Sequence, residues 1–390
     1  MTDLYLIDPE PTPQWAPFCE SRPLSELRAG AWLIRERWEA IAGGETKGIF
    51  GRKGLHVFVE DGVPAVSSTE SLPGPIIVGR TVFAPTGITP SLPAAPARFV
   101  NDDSTVGWWV PAGSTWEEGA HDDWEAVELD GLLLHGAYDI ITALEHFLIA
   151  DVADFINEGG DGLPDECVVI GDPVEVILLG ARVEPGVVFD VRKGAVVLEQ
   201  HVYVRSGTRF DGPVYVGPGT EVLGGLIQAS VLGPRCRVRG EIADSVFLGY
   251  ANKVHDGFIG HSVVGRWVNL GADTVTSDLK NTYGVVRLRL GDETIETDRQ
   301  KLGSLIGDHV KTAIGTLLET GTVIGTGANV FGATRPPKYV APFAWGTDGE
   351  IMTVEGFLTV ASRVMPRRDV ALTDEVRQML EELHRTATQR

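Results

Sequence analysis

Cysteine, methionine and basic residues are scarce in this chain. Its 390 residues include 3 cysteines and 4 methionines, and 33 basic residues stand against 54 acidic ones, for a net charge of −21. Cys19, Cys167 and Cys236 lie far apart, offer no zinc-binding spacing and indicate a reducing compartment. The negative charge argues against nucleic acid or an anionic membrane surface as the main partner.

Long apolar runs are also missing from the sequence. No stretch reaches the roughly 18 apolar residues that a membrane-spanning helix needs. The start, Met-Thr-Asp-Leu-Tyr-Leu-Ile-Asp, has neither the basic region nor the apolar run of a signal peptide. We therefore expect a cytoplasmic protein, an enzyme by default, with enough residues for two or three domains.

Aliphatic residues or threonine recur at every sixth position across the middle of the chain. The two runs are Val196, Val202, Thr208, Val214, Thr220 and Leu226, and then Ile306, Thr312, Leu318, Ile324 and Val330. A period of six is typical of a β-helix, in which each coil has three short strands and buries one such residue on each face. The sequence therefore predicts a parallel β-helix from about residue 168.

The residues before this repeat alternate between strand-like and helix-like patterns. The expected strands are 4–7, 56–59, 75–78 and 81–84. Apolar residues at helical spacing predict helices at 24–42 and 137–157. Together these elements predict a small α/β domain, with the second helix as the link to the β-helix.

The six-residue step fails between about 276 and 304, in a segment rich in basic residues. These residues are Lys280, Arg287, Arg289, Arg299 and Lys301. A break in a solenoid usually marks a loop that leaves one face, often the binding face. We expect this loop to help form a site; the competing interpretation is a solvated charged hairpin.

The stretch 249–284 places a histidine, His255, beside aliphatic–glycine pairs. The pairs are Ile259-Gly260, Val264-Gly265 and Leu270-Gly271. Histidine suits a general base because its pKa lies near working pH. This stretch resembles the acetyltransferase half of the bifunctional GlmU enzymes, and more closely a branch of GlmU-like sugar nucleotidyltransferases. The resemblance implies a left-handed β-helix, a homotrimer with active sites between subunits, and acetyl-CoA as the acetyl donor.

The resemblance also implies roles for single residues. His255 would be the base for acetyl transfer to an amino-sugar phosphate. The substrate would be bound by Asn252, Lys253, Phe258, Asn269, Asp278 and Asn281. Acetyl-CoA would be bound by Ala272, Asp273, Lys301 and Lys311.

Three of these residues depart from the GlmU pattern. Phe258 stands where GlmU has a tyrosine, Asp273 replaces a glycine and Asp278 replaces an asparagine. Two added carboxylates near an anionic cofactor are unfavourable electrostatically. The alternative is that they hold the amine of a different acceptor.

In the N-terminal part, the run from Glu20 to Arg28 resembles a motif of the GlmU-like branch. Arg22 and Arg28 are the nucleotide-binding residues proposed from it. Asp102, in the separate run Asn101-Asp102-Asp103, is a further proposed nucleotide-binding residue, as a Mg²⁺ ligand or simply part of a polar turn. Pro9-Glu10-Pro11-Thr12-Pro13 stands where related enzymes have a glycine-rich loop, whose N–H groups cradle phosphates. We therefore expect nucleotidyl transfer to be weak or absent.

The predicted fold is a multidomain α/β plus β protein. It has a degenerate nucleotidyltransferase-like α/β domain with its linker helix at 1–160, a left-handed parallel β-helix at 161–346 and a helical segment at 347–390, with helices at 354–362 and 374–386.

Three functions stay open. The first is an N-acetyltransferase acting on an amino-sugar phosphate, with residual sugar-1-phosphate nucleotidyl transfer. The second is a nucleotidyltransferase with a structural β-helix, and the third is a non-catalytic trimer.

Overall fold

The computed structural model describes residues 2–10, 12–119 and 121–389. The strands of the N-terminal part are β1 (Asp3–Ile7), β2 (Arg28–Ala29), β3 (Trp32–Leu33), β4 (Thr46–Phe50), β5 (Val66–Ser67), β6 (Leu72–Pro73), β7 (Ile76–Arg80), β8 (Phe83–Pro85), β9 (Ala97–Asn101), β10 (Ser104–Val110), β11 (Thr115–Trp116), β12 (Glu125–Glu128) and β13 (Gly131–Leu133). Its helices are α1 (Ile34–Ala42) and α2 (Asp139–Asp154). A mixed sheet has the order β12-β9-β10-β7-β1-β4-β5, in which β7, β1, β4 and β5 run parallel. The predicted α/β domain is confirmed.

One tryptophan holds α1 against this sheet. Trp38 is fully buried, and its indole Nε1 donates a hydrogen bond of 3.1 Å to the Phe83 carbonyl. Its ring lies over Gly79 of β7 and Gly107 of β10, where a Cβ atom would come within 2.5 Å and 2.9 Å of it. The helix can approach the sheet this closely because both positions lack a side chain.

The predicted helix at 24–42 is wrong in its first half, since α1 begins only at Ile34. Gly30 turns the chain with a φ of +72°, and β2 pairs with β3 on either side of it. A side chain at position 30 would collide with Asp151 of α2. The turn therefore also allows α2 to pack closely.

The predicted strand at 56–59 is also wrong. The 3₁₀ helix Lys53–Leu55 ends in a turn at His56, and the Phe58 N–H donates a hydrogen bond to the Leu55 carbonyl. Leu55 and Phe58 both belong to this turn, and both side chains are buried. Their apolar spacing reflects burial in a turn rather than in a strand.

The second part of the chain is a parallel β-solenoid, which confirms the predicted architecture. Its strands, with the hairpin β28–β29 that leaves it, are β14 (Val168–Ile170), β15 (Val176–Leu178), β16 (Arg182–Val183), β17 (Val188–Asp190), β18 (Val196–Leu198), β19 (Tyr203–Val204), β20 (Thr208–Val216), β21 (Glu221–Leu232), β22 (Arg237–Ala243), β23 (Val246–Phe247), β24 (Asn252–Lys253), β25 (Phe258–Gly260), β26 (Val263–Val264), β27 (Val275–Thr276), β28 (Arg287–Leu290), β29 (Glu293–Glu296), β30 (Ser304–Ile306), β31 (Lys311–Thr312), β32 (Leu317–Leu318), β33 (Thr322–Ile324), β34 (Asn329–Val330) and β35 (Tyr339–Val340). They stack in three ladders, one for each face of the solenoid. The handedness and the trimer stay predictions.

The six-residue step matches the buried positions, with one slip. All members of the second run are buried, and the first run holds as far as Thr220. At the next step Ile227 is fully buried in place of Leu226. Gly224 and Gly225 take positive φ angles there, and the pairing with β22 shifts register. The bulge therefore moves the inward position by one residue.

An insertion interrupts one coil where the repeat fails. Val263 pairs with Leu305, 42 positions later, whereas Leu305 pairs with Val323, 18 positions later. The inserted residues include the antiparallel hairpin β28–β29, whose Leu288 is 1% exposed. Arg299 at its base donates to Thr142 Oγ1 at 2.7 Å, on α2 of the same chain. The predicted hairpin is thus present, but its apolar side is buried.

One apolar core joins the two parts of the chain. Val197, Val263 and Leu305 on one solenoid face belong to the same buried cluster as Ile140 and Phe147 of α2. The C-terminal helices α3 (Val354–Val364) and α4 (Asp374–Thr388) confirm the two predicted there, and they pack on the last coils. Among the described residues, no helix combines the length and apolar character needed to cross a membrane.

Gly79→Ala tests the packing of α1. The added methyl group would overlap the rigid indole of Trp38, so we expect the free energy of unfolding to fall by about 1–3 kcal/mol in denaturant titrations. Gly48→Ala in β4 is the matched control, because its Cβ would lie 3.5 Å from the nearest atom. Equal stability of the two variants would contradict this account.

Candidate functional sites

A cavity of about 720 Å³ opens at the carboxyl ends of β1, β4 and β7. Parallel sheets generally bind ligands at this edge, because the loops that leave the strands meet there. The residues that line it are Ile7, Asp8, Pro9, Glu10, Phe50, Gly51, Arg52, Lys53, Ser68, Thr69, Arg80, Thr105, Trp108, Glu118 and Gly119. We call it the N-terminal pocket.

Asp8 lies at the floor of the N-terminal pocket, directly after β1. Its carboxylate accepts a hydrogen bond of 2.6 Å from Thr81 Oγ1 and two from the Leu24 N–H at 3.1 and 3.2 Å. Burial raises the pKa of Asp8 to about 7. Sequence reasoning missed this residue, although an aspartate directly after a buried strand was a usable signal.

Three cationic side chains stand around the same pocket. Arg80 donates a hydrogen bond of 3.0 Å to the Thr105 carbonyl, and Arg52 donates to the carbonyls of Cys19 and Glu20. Lys53 is exposed at the mouth. Such a set can neutralise the charge of a bound polyphosphate.

The residues of this pocket fit a metal ion only when a substrate helps to hold it. Among the described residues, no group of three or more His, Cys, Asp or Glu side chains could bind a metal by itself. Magnesium is often held by one or two carboxylates together with substrate phosphates, and Asp8 meets that requirement. Asp102 does not line the pocket; it lies in the exposed turn between β9 and β10, with a φ of +46°.

Arg22 and Arg28 lie outside the N-terminal pocket as well. Arg22 is 3% exposed and reaches across to the solenoid, where its Nη2 lies 2.9 Å from Asp308 Oδ2. Arg28 donates to the Ala31 carbonyl and stands over the ring of Tyr215. The motif around these arginines therefore joins the domain to the solenoid.

His255 is exposed at a corner of the solenoid, and no hydrogen bond to its ring occurs among the described residues. In the next coil, the Asp273 N–H donates a hydrogen bond of 3.1 Å to the Asp256 carbonyl. Ala272 is adjacent, and its carbonyl accepts from the Gly315 N–H. The structure thus places His255, Ala272 and Asp273 at one corner, which we call the His255 corner.

A second histidine, His261, forms a separate cluster with Asp278. His261 is 6% exposed, and its Nδ1 lies 2.7 Å from Asp278 Oδ2. This hydrogen bond holds the pKa of Asp278 below its usual range. Phe258 packs nearby, since its ring and Asp278 both lie against Gly260, and Lys301 acts electrostatically on Asp278.

The other predicted residues separate into three places. Asn252, Asn269 and Lys311 line one cavity of about 370 Å³, beneath α3. Asn281 lines another cavity, of about 520 Å³, beside the inserted loop. Lys253 is 1% exposed, and its Nζ donates to the carbonyls of Arg239 and His255. The structure therefore does not gather the implied acetyl-CoA residues into one pocket.

Comparison with known proteins agrees with the architecture of the first domain. Residues 4–159 match the family model described as sugar nucleotidyl transferase. The likeness covers about two fifths of the chain. Part of the run beginning at Pro9, where a glycine-rich loop was expected, lines the N-terminal pocket; residue 11 of that run lies outside the described residues.

Curated relatives confirm the GlmU-like resemblance at modest identity. A bifunctional sugar-1-phosphate nucleotidylyltransferase/acetyltransferase of Sulfurisphaera tokodaii is 31% identical over 151 residues, which cover 36% of this chain and 36% of that protein. The bifunctional protein GlmU of Methanococcus vannielii is 29% identical over 118 residues, 30% of this chain and 26% of its own length. The GlmU of Methanocaldococcus jannaschii is 29% identical over 86 residues, 22% and 21%. The matches thus span about a third or less of these relatives.

Arg22→Ala distinguishes a role in joining the domains from a role in catalysis. It leaves Asp308 buried without its partner, so we expect the free energy of unfolding to fall by about 3–5 kcal/mol. Arg192→Ala is the control, because the Arg192 side chain is exposed and its partner Asp190 also pairs with Arg209, so the free energy of unfolding should change little. If the Arg22→Ala variant is as stable as the wild type but binds nucleotide poorly, that result would support the nucleotide-binding role expected from the sequence instead.

Proposed function

We propose that the N-terminal domain transfers a nucleotidyl group from a nucleoside triphosphate to a sugar 1-phosphate. The observation that supports this most is the position of the N-terminal pocket, at the carboxyl ends of β1, β4 and β7, in a domain that matches the sugar nucleotidyl transferase model. Its volume of about 720 Å³ is in the range of small-molecule and cofactor sites, roughly 300–1,000 Å³.

The chemistry follows from the side chains of the pocket. A phosphate oxygen of the sugar phosphate attacks the α-phosphorus of the triphosphate, and the bond to the leaving pyrophosphate breaks. Lys53 and Arg80 neutralise the phosphate charges, and Asp8 in its ionised form would hold Mg²⁺ against them. The metal, when bound, offsets the charge that develops on the phosphoryl oxygens.

The rate of this reaction is proposed to be low. Pro9 and Glu10 line the pocket where related enzymes have a glycine-rich loop. A proline has no backbone N–H, and a glutamate carboxylate repels a phosphate. The pocket therefore relies on side-chain cations for binding the phosphates.

Asp8→Asn tests this mechanism. A carboxyl group with a pKa near 7 is protonated below that pH and ionised above it, so kcat/KM of the wild type should rise as the pH passes through about 7. The amide keeps an acceptor for Thr81 but cannot ionise, so we expect a loss of roughly 10²-fold or more and no such rise. Pyrophosphate release is the measurement.

Asp102→Asn is the matched control for that experiment. Its side chain lies in an exposed turn outside the pocket, so the change should leave pyrophosphate release unaltered. Loss of activity in Asp102→Asn, with full activity in Asp8→Asn, would contradict the mechanism and favour the metal site expected from the sequence.

We propose acetyl transfer from acetyl-CoA to an amino-sugar phosphate as a second function, with His255 as the base. The observation that favours it is the exposed imidazole of His255, whose ring nitrogens form no hydrogen bond with a described residue. In this reaction an amine nitrogen attacks the thioester carbonyl, the CoA thiolate leaves, and His255 takes the amine proton. The acetyl-CoA is proposed to lie along Ala272 and Asp273 at the same corner. A second copy of the chain in a homotrimer is proposed to complete this binding site.

His255→Ala should lower acetylation by roughly 10²–10⁴-fold and leave the Tm unchanged, because the exposed ring packs against little. His261→Ala is the companion variant, and it should lower the Tm because it removes a buried ring that is bonded to Asp278. A thiol-release assay and thermal unfolding measure both effects. Normal turnover in His255→Ala would contradict its role as the base.

A further inference from the structure

The chain that leaves β4 forms one wall of the N-terminal pocket. Arg52 and Lys53 line this pocket, and Lys53 also begins the 3₁₀ helix Lys53–Leu55. We call residues 52–60 the wall segment. The Lys53 side chain is exposed at the mouth, so its position is set mainly by the backbone that carries it. The contacts that hold this backbone therefore decide where the cation stands.

The wall segment contacts the C-terminal helix α4. The Val59 N–H donates a hydrogen bond of 3.3 Å to Met379 Sδ, although the two residues are 320 positions apart in the chain. A Cβ atom at Gly54 would lie 3.3 Å from Thr386 Cγ2. Met379 and Thr386 are about two turns of α4 apart and lie on the same face of the helix. This face of α4 therefore follows the wall segment from Gly54 to Val59.

Gly54 brings α4 and Arg52 close to each other. A Cβ atom at position 54 would also come within 2.7 Å of Arg52 Nη1. The Arg52 guanidinium group is held in turn, because its Nη2 donates hydrogen bonds of 3.0 Å and 2.6 Å to the carbonyls of Cys19 and Glu20. The position of α4 thus limits where the 3₁₀ helix and Arg52 can lie.

The same face of α4 also carries a negative charge toward these cations. The Thr386 hydroxyl donates a hydrogen bond of 2.9 Å to the Glu382 carbonyl. The hydrogen bond from Arg385 holds the pKa of Glu382 below its usual range, and the charges of Arg52 and Lys53 add to this effect. An ionised Glu382 therefore attracts both cations of the pocket wall.

We propose that α4 positions the cationic wall of the N-terminal pocket, with Met379 as the positioning residue. The inference rests on the proposed nucleotidyl transfer, in which Lys53 binds phosphate. Met379 does not line the pocket and acts through the wall segment. Without its side chain, Val59 loses its acceptor and the segment loses a packing partner, so Lys53 is held less well against the phosphates. The C-terminal helix is thereby a working part of the N-terminal site.

Pyrophosphate release by Met379→Ala tests the proposal, with Val376→Ala as the matched control. Met379 packs against both the C-terminal apolar cluster and the core that joins the N-terminal domain to the solenoid, whereas Val376 packs against the C-terminal cluster. We expect Met379→Ala to raise KM for the nucleoside triphosphate by up to about tenfold, the effect of one weakened charge-assisted hydrogen bond. The value of kcat should change little, because binding of the phosphates is what weakens. Val376→Ala should keep the wild-type KM.

A double-mutant cycle with Lys53→Ala tests whether the effect passes through the wall segment. If Met379 acts by placing Lys53, Met379→Ala should raise KM little further in a chain that already carries Lys53→Ala. A purely structural role would instead give two independent effects whose free energies add.

Hydrogen exchange of the backbone in residues 52–60 separates failure of this inference from failure of the proposed function. We expect faster exchange in Met379→Ala than in the wild type or Val376→Ala, because the Val59 N–H loses its acceptor. A wild type that releases no pyrophosphate would refute nucleotidyl transfer, and the exchange would still show whether α4 holds the wall segment. The inference is overturned when exchange is unchanged in Met379→Ala, when its KM equals that of the wild type, or when Val376→Ala raises KM equally.

Discussion

Burial of one solenoid face against α2 is the constraint on which the rest of the structure depends. A solenoid coil buries its inward side chains by stacking, but apolar residues on its outer faces need another partner. Here Val197, Val263 and Leu305 on one outer face share a core with Phe147 of α2. The N-terminal domain is consequently fixed along the side of the solenoid, and a trimer would have to use the other faces.

The contacts around this core explain features that otherwise look like parts of an active site. Arg22 pairs with Asp308 across the junction, and Arg299 ties the inserted hairpin to α2. Both arginines lie in segments that resemblance or charge marked as functional. In the structure they hold elements together, and neither arginine lines the cavities of the N-terminal domain, beneath α3 or beside the inserted loop.

The sequence alone determined the elements whose residues are neighbours in one coil or one helix. The six-residue step predicted the solenoid because each coil repeats the same inward positions, and the later run from Ile306 to Val330 is buried throughout. Local residue patterns also predicted α3, α4 and the break in the six-residue repeat where the hairpin β28–β29 lies. It failed at Gly30 and at Gly224-Gly225, where a positive φ changes the chain direction or the register.

Only the tertiary structure decided which polar residues meet. Asp8 and Arg80 lie far apart in the chain and converge because β1 and β7 are parallel neighbours. Lys311 faces Arg363 only because α3 folds back over the last coils. Lys253 occupies an inward position, where its ammonium group binds carbonyls. Periodicity reports which side of a strand is buried; it contains no information on which distant element covers that side, and the sites depend on that packing.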